Sequence, residues 1–286
     1  MLIAKHRDLI YDVGMHKGED TDYYLKKGFR VVGFEAVPDL IKHCKDKFSE
    51  AIKNSKLILV EGAIVDPDLE GMAGQTVKFY KNLDDSVWGT ANVDWVRRNK
   101  ILGTHHEVIE VNTVDFKKCL NQYGIPRYLK IDIEGSDTVC LKALLDFEQK
   151  PDYVSIESEK VAFGKLLEEM DLLERLGYAQ FKAVQQQDIS SQIEPDPSSE
   201  GVRVGHKFPG SSSGLFGEDL RGPWRKKEEI IKEYKEIFRL YDLFGDYGKW
   251  NRFAGGRLLK NILINILHRP VPGWYDTHAK HSTTDL

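Results

Sequence analysis

No run in this 286-residue chain approaches the ~18 consecutive apolar residues of a membrane span, and no apolar signal segment precedes the first strand-like stretch at Leu9. A soluble protein of the cytoplasm, without a membrane span, is therefore expected. Cysteine is scarce: Cys44, Cys119 and Cys140 are scattered and odd in number, which excludes a disulfide framework and gives no metal-ligand spacing. Charge of one sign is lacking too. The formal net charge is −4, so no general attraction to nucleic acid is expected, although from Arg221 onward 13 Lys/Arg stand against 8 Asp/Glu. There are no internal repeats, no basic-aromatic stripe and no N/D-P-P-Y/F sequence of the kind that amino-directed nucleic-acid methyltransferases use.

What is present is a ligand-binding turn. Leu9-Ile10-Tyr11 leads into Asp12-Val-Gly14-Met-His16-Lys-Gly18 and then into a helical pattern. Glycines at such a strand-to-helix turn expose backbone N–H groups and let a ligand approach without meeting a Cβ. The next apolar run, Arg30 to Phe34, ends in Glu35, 17 residues after Gly18. In a βαβ unit that carboxylate faces both ribose hydroxyls of a bound nucleoside. The third glycine of G-x-G-x-x-G is missing, which disfavours a dinucleotide with its pyrophosphate. S-adenosylmethionine, whose methionine part would lie over the turn, fits better. The alternative is a tight turn and a packing glycine beside a solvated Glu35.

Strands and helices alternate through the first two-thirds, as in a parallel sheet covered on both faces. Strands are expected at 30–35, 57–60, 128–133, 153–156 and 178–184. Helices are expected at 19–27, from Pro38, from a Thr113 cap through Asn121, at 138–147 and at 161–176, the last stopped by Gly177. A hairpin is inserted at about 76–112. Beyond Gln185 the chain is polar and turn-rich, with Gly210-Ser-Ser-Ser-Gly214 in a loop long enough to be a lid, a binding loop or disordered. Val202 to Phe208 is a candidate seventh strand, 224–244 an amphipathic helix, and the last 40 residues a tail. The expected division is a Rossmann-like domain over 1–210 and a C-terminal helical extension over 211–286.

The second dense segment is Lys130-Ile-Asp132-Ile-Glu134-Gly135. On a strand Lys130, Asp132 and Glu134 share one face, and charges at the C-terminal end of a buried parallel strand point to the cleft where such folds bind ligands. A strand-end acid that merely caps the next helix is the alternative for one of the two. Glu157 ends its strand in the same way. Asp132, Glu134 and Glu157 can raise one another's pKa, or hold a divalent cation; either helps to deprotonate a hydroxyl. Asp132 and Glu134 are the leading catalytic candidates, with His16 next. His206 and His278 lie in the C-terminal third, which is free to fold over the cleft.

Taken together, Tyr11 to Gly18, Val32-Gly-Phe-Glu-Ala36, Val111-Asn-Thr-Val-Asp115 and Leu129-Lys-Ile-Asp-Ile-Glu-Gly135 make the chain resemble the FkbM-family methyltransferases. The resemblance covers about residues 9–160. It implies an S-adenosylmethionine-dependent enzyme of α/β class I fold, O-methylating a small-molecule or glycan hydroxyl. It also implies that Gly14 and Gly18 flank the methionine part of the cofactor and that Glu35 holds the ribose; Asp12, His16, Ala63 and Asp132 are the remaining cofactor-binding candidates. Gly62 before Ala63 departs from the polar residue usual there. A non-catalytic binding protein on the same fold, or a nucleic-acid methyltransferase, are the rival functions, and the oligomeric state is open.

Overall fold

The computed structural model describes residues 3–66, 75–84, 86, 88–92, 95–96, 103–133, 135–158, 162–244 and 274–284. Strand β1 (Lys5–Val13) is buried continuously from Leu9 to Val13, as suits a central parallel strand covered on both faces. It leads through the glycine turn into α1 (Glu19–Lys26), which Gly28 ends at φ 96°. There follow β2 (Arg30–Glu35), α2 (Pro38–Lys47), α3 (Ser49–Lys53), β3 (Leu57–Glu61) and the two-residue β4 (Ala63–Ile64). Pro38 starts α2 with its φ already helical, and Asp39 at its first turn and Lys45 and Lys47 at its last suit the helix dipole.

The inserted hairpin forms from β5 (Thr76–Asn82) and β6 (His106–Val114), paired antiparallel; β6 also pairs with β4 to make a small three-stranded sheet. Helix α4 (Phe116–Tyr123) is capped by Asp115, which accepts from the Lys118 N–H at 3.2 Å, rather than by Thr113, which lies in β6. Then come β7 (Ile125–Ile131), α5 (Asp137–Leu144), β8 (Tyr153–Glu157), α6 (Phe163–Arg175) and β9 (Tyr178–Gln185). The chain leaves β7 at Ile131, two residues before the expected end. Gly177, at φ 95°, follows the cap of α6 as expected. Helix α7 (Lys227–Phe244) begins three residues after Trp224, whose ring stacks on Tyr153 at 5.9 Å instead.

The main sheet has the order β3-β2-β1-β7-β8-β10-β9, where β10 is Tyr275–His281. β10 runs antiparallel to both neighbours. The seventh strand is thus drawn from the expected tail, and Val202–Phe208 is irregular chain. The alternation of β10 conceals it: Asp276, His278 and Lys280 occupy one face and Thr277 and Ala279 the other, all five of them buried. The expected boundary at 210 therefore does not divide the chain into separate cores. Ile230 and Tyr234 of α7 and Ala279 of β10 join the same apolar cluster as β1, β7 and β8.

The other face of the sheet is covered by α1 and by the 186–224 segment, whose Phe216 stacks on Tyr128 at 4.7 Å. A buried ion cluster pins this segment. Lys27 Nζ lies 3.0 Å from Glu194 Oε1, 3.0 Å from Asp219 Oδ2 and 2.8 Å from Ser198 Oγ, all inside the protein. The long polar loop is an ordered cover, built on charges whose partners lie far apart in sequence.

Candidate functional site

β1 has β2 on one side and β7 on the other, so the crossover direction reverses there and a crevice opens at the strands' C-terminal ends. A cleft occupies this place, enclosing about 840 Å³ when the open solvent at its mouth is counted. Gly14 and Met15 line it beside Lys130, Asp132 and Ile133. Glu35 lines it as well, and Ala36, Val37, Leu40, Ala63, Ile64 and Phe79 give it an apolar wall.

Gly14 is indispensable to that lining. Its φ is 82°, and a Cβ there would sit 1.9 Å from the Asp132 carbonyl oxygen. The Gly14 and Met15 N–H groups both donate to Phe34 O, at 3.1 and 3.0 Å, locking the turn to β2. Gly18 has a different role: at φ 72° it caps α1, and a Cβ would strike the Phe48 ring. It is not among the lining residues of the cleft. Asp12 is also turned inward and wholly buried. Its carboxylate accepts from Thr21 Oγ1 at 2.7 Å and pairs with Lys130 Nζ at 3.2 Å, so it braces the turn from below.

Glu35 is buried at the tip of β2. Oε1 accepts the Val37 N–H at 2.8 Å and Oε2 the His16 N–H at 3.0 Å. Burial raises its pKa, and the two N–H donors oppose that rise. Each oxygen retains capacity for another hydrogen bond. His16, left-handed at φ 50°, lies at the mouth of the cleft; its Nδ1 meets Glu19 Oε1 at 3.2 Å and its Nε2 meets Ser86 Oγ at 2.9 Å. Burial pushes the Glu19 carboxyl up, but hydrogen bonding to His16 and the nearby charges outweigh it and bring the pKa down to about 2.

Asp132 follows β7, its backbone N–H still bonded to Val13 O at 2.9 Å, and its side chain is 47% exposed into the cleft. Enclosure by the cleft walls raises its carboxyl to about 6; Lys130, 3.8 Å away, opposes the rise, and Glu157 adds to it. Its open side toward water moderates the shift. Glu134 lies outside the described residues. Glu157 ends β8 beside Asp132 but does not line the cleft. Among the described residues no three His, Cys, Asp or Glu side chains are grouped to hold a metal ion, so the expected cation site finds no support.

Neither distant histidine reaches the cleft. His278 is buried within β10, opposite Ser155 and Lys182, and burial brings its pKa down to about 3. His206 packs at 5.0 Å on both Tyr23 and Phe208.

Sequence reasoning passed over several groups here. Lys130 Nζ links Asp12, Gly14 O at 3.2 Å and Asp20 Oδ2 at 3.4 Å. Asp20 in turn accepts from Ser212 Oγ and the Ser213 N–H, which brings Ser211 to the cleft, where its hydroxyl reaches Glu19 Oε1 at 3.3 Å. A buried-lysine signal was available in Lys130, which alternates with apolar residues on a central strand. The serine loop carried none, because its partner lies about 190 residues away.

Residues 12–179 match a model of the methyltransferase FkbM domain. Among solved structures the chain is similar to a methyltransferase FkbM from Methylobacillus flagellatus KT, at 17% identity over 64% of this chain and 41% of that one, with TM-score 0.37. It is similar to a SAM-dependent methyltransferase from Archaeoglobus fulgidus at 12% identity over 96% and 87%, with TM-score 0.36. A third is precorrin-6y C5,15-methyltransferase from Geobacter metallireducens GS-15, at 12% identity over 64% and 69%, with TM-score 0.34. No curated protein matches.

Proposed function

The chain belongs to the FkbM methyltransferase family and is an S-adenosylmethionine-dependent methyltransferase; on that premise we propose that it methylates a hydroxyl oxygen, of a sugar or polysaccharide, in the cleft above β1 and β7. The observation that carries this reading is the Asp132 carboxyl, set in the cleft beside Gly14 and raised to about 6. A general base works best when its pKa lies near the working pH.

The residues present fit the cofactor. Gly14 lets the turn pack against the Asp132 backbone at the edge of the cleft, the apolar wall from Ala36 to Phe79 suits an adenine, and Glu35 has oxygen capacity for ribose hydroxyls. When bound, the cofactor supplies an electrophilic methyl group on a sulfonium. Glu35 and the turn orient it, and the walls exclude competing water. Asp132 would take the proton of the acceptor hydroxyl as that oxygen is methylated. Lys130 holds Asp132 toward the cleft, and His16 is the second candidate base.

Glu35→Gln keeps the shape and removes the charge. A charge-assisted hydrogen bond contributes about 1.5–3 kcal/mol, so S-adenosylhomocysteine should bind about tenfold more weakly or worse by calorimetry. A change under about twofold would put the ribose elsewhere.

A further inference from the structure

The turn that follows β7 brings two polar residues to the cleft, Asp132 and Ser136. Its shape is fixed by its neighbours. The Ile133 and Gly135 N–H groups donate to the Asp137 carboxylate at 3.2 and 3.3 Å, and Asn92 Nδ2 donates to Gly135 O at 3.0 Å. Gly135 turns at φ 88° against the Trp95 ring, where a Cβ would lie 1.9 Å from the indole. Asp132 and Ser136 are therefore held at a set separation, as the positioning of a substrate requires.

Ser136 immediately precedes α5, where a serine hydroxyl ordinarily accepts an N–H of the first helical turn. Here it does not. At φ −117° and ψ 8° the residue departs from the extended geometry of a cap, and its hydroxyl makes no hydrogen bond among the described residues. The other polar side chains of the lining have protein partners, the open side of Asp132 excepted. His16 has Glu19 and Ser86, Ser211 has Glu19, Lys130 has Asp20, and Glu35 has the Val37 and His16 N–H groups. Among the described residues, the acid that faces the acceptor and the hydroxyl left over thus share one turn.

Ser136 also lies on the side of the cleft that cofactor binding leaves open. Glu35 ends β2, and two strand steps, roughly 10 Å at about 4.8 Å each, separate β2 from β7, with the glycine turn of β1 between them. A serine hydroxyl offers one donor and two acceptor lone pairs. Its natural complement is another hydroxyl, which also donates and accepts.

The geometry points to Ser136 as an acceptor-binding residue: the acceptor carries a second hydroxyl near the one that is methylated, and Ser136 holds it while Asp132 faces the first. The substrate class is then a polyol, not a simple alcohol. This rests on the hydroxyl-transfer reading above and deepens it for the same cleft.

Two measurements test the assignment. Cys44, Cys119 and Cys140 are buried, so in Ser136→Cys the labelling by iodoacetamide reports on position 136. S-adenosylhomocysteine should slow that labelling by less than about threefold; stronger protection, or a thiol that never reacts, overturns the assignment. In the second, S-adenosylhomocysteine-loaded wild type is titrated by NMR and should bind trans-1,2-cyclohexanediol about fivefold more tightly than cyclohexanol. Ser136→Ala should bring the two within about twofold with S-adenosylhomocysteine affinity unchanged, which also reports an intact fold. Equal binding in wild type, no saturable binding of the diol, or a preference untouched by Ser136→Ala overturns the proposal. Product analysis separates it from the reading it rests on. Methyl found on oxygen in single-hydroxyl and diol acceptors alike keeps hydroxyl transfer and removes the role of Ser136, whereas a Ser136-dependent diol preference with methyl only on nitrogen or carbon does the reverse.

Discussion

Asp132→Asn should cut kcat by about 10²–10⁴, the range for loss of a general base, while S-adenosylhomocysteine binds within about twofold of wild type. The amide keeps the size of the side chain, and the Asp132 N–H to Val13 O bond belongs to the backbone, so the turn stays in place. What goes is the capacity to take a proton. The same carboxyl dictates the pH profile. Its pKa is raised to about 6, and the working form is the ionised one, so kcat/KM should fall as pH drops through about 6 and level off above it. In the Asn variant that acid limb should vanish. Full activity in Asp132→Asn, or an unchanged acid limb, would pass the proton to His16.

Lys27→Met should destabilise the protein by about 3–5 kcal/mol, the range for removing one partner of a buried ion pair. Glu194 and Asp219 would be left buried without their cation. For a chain of this size that corresponds to a melting temperature roughly 6–20 °C lower, readable by differential scanning calorimetry. Methionine keeps a flexible apolar side chain of similar length, while the ammonium, 5.2 Å from the centroid of the Tyr23 ring, is lost with the charge. A drop of less than about 2 °C would mean that the 186–224 cover is held by its apolar residues, Phe208, Phe216 and Leu220, alone.

The features of the site legible in the sequence are those whose meaning is local. Gly14, Glu35 and Asp132 each sit at a strand end, and the alternation of strand and helix puts strand ends together at one edge of a parallel sheet. Asp12 and Gly18 belong to the same turn, but their side of it faces the protein, which sequence spacing does not distinguish. The roles of Asp20, Ser211 and Lys27 depend on contacts across more than 150 residues and leave no periodic trace. β10 was concealed for a related reason. The strand buries Asp276, His278 and Lys280 on one face, where an isolated reading sees a solvated tail.

The most direct test of methyl transfer to oxygen uses cofactor carrying a carbon-13 methyl group, incubated with wild-type protein and a panel of glycans, amino sugars and small alcohols. Carbon-13 NMR of the products should show a new methoxy carbon that depends on both protein and acceptor and is lost in Asp132→Asn. Label found only on nitrogen or carbon, or cofactor that stays intact with every acceptor while S-adenosylhomocysteine still binds, would contradict hydroxyl transfer in this cleft.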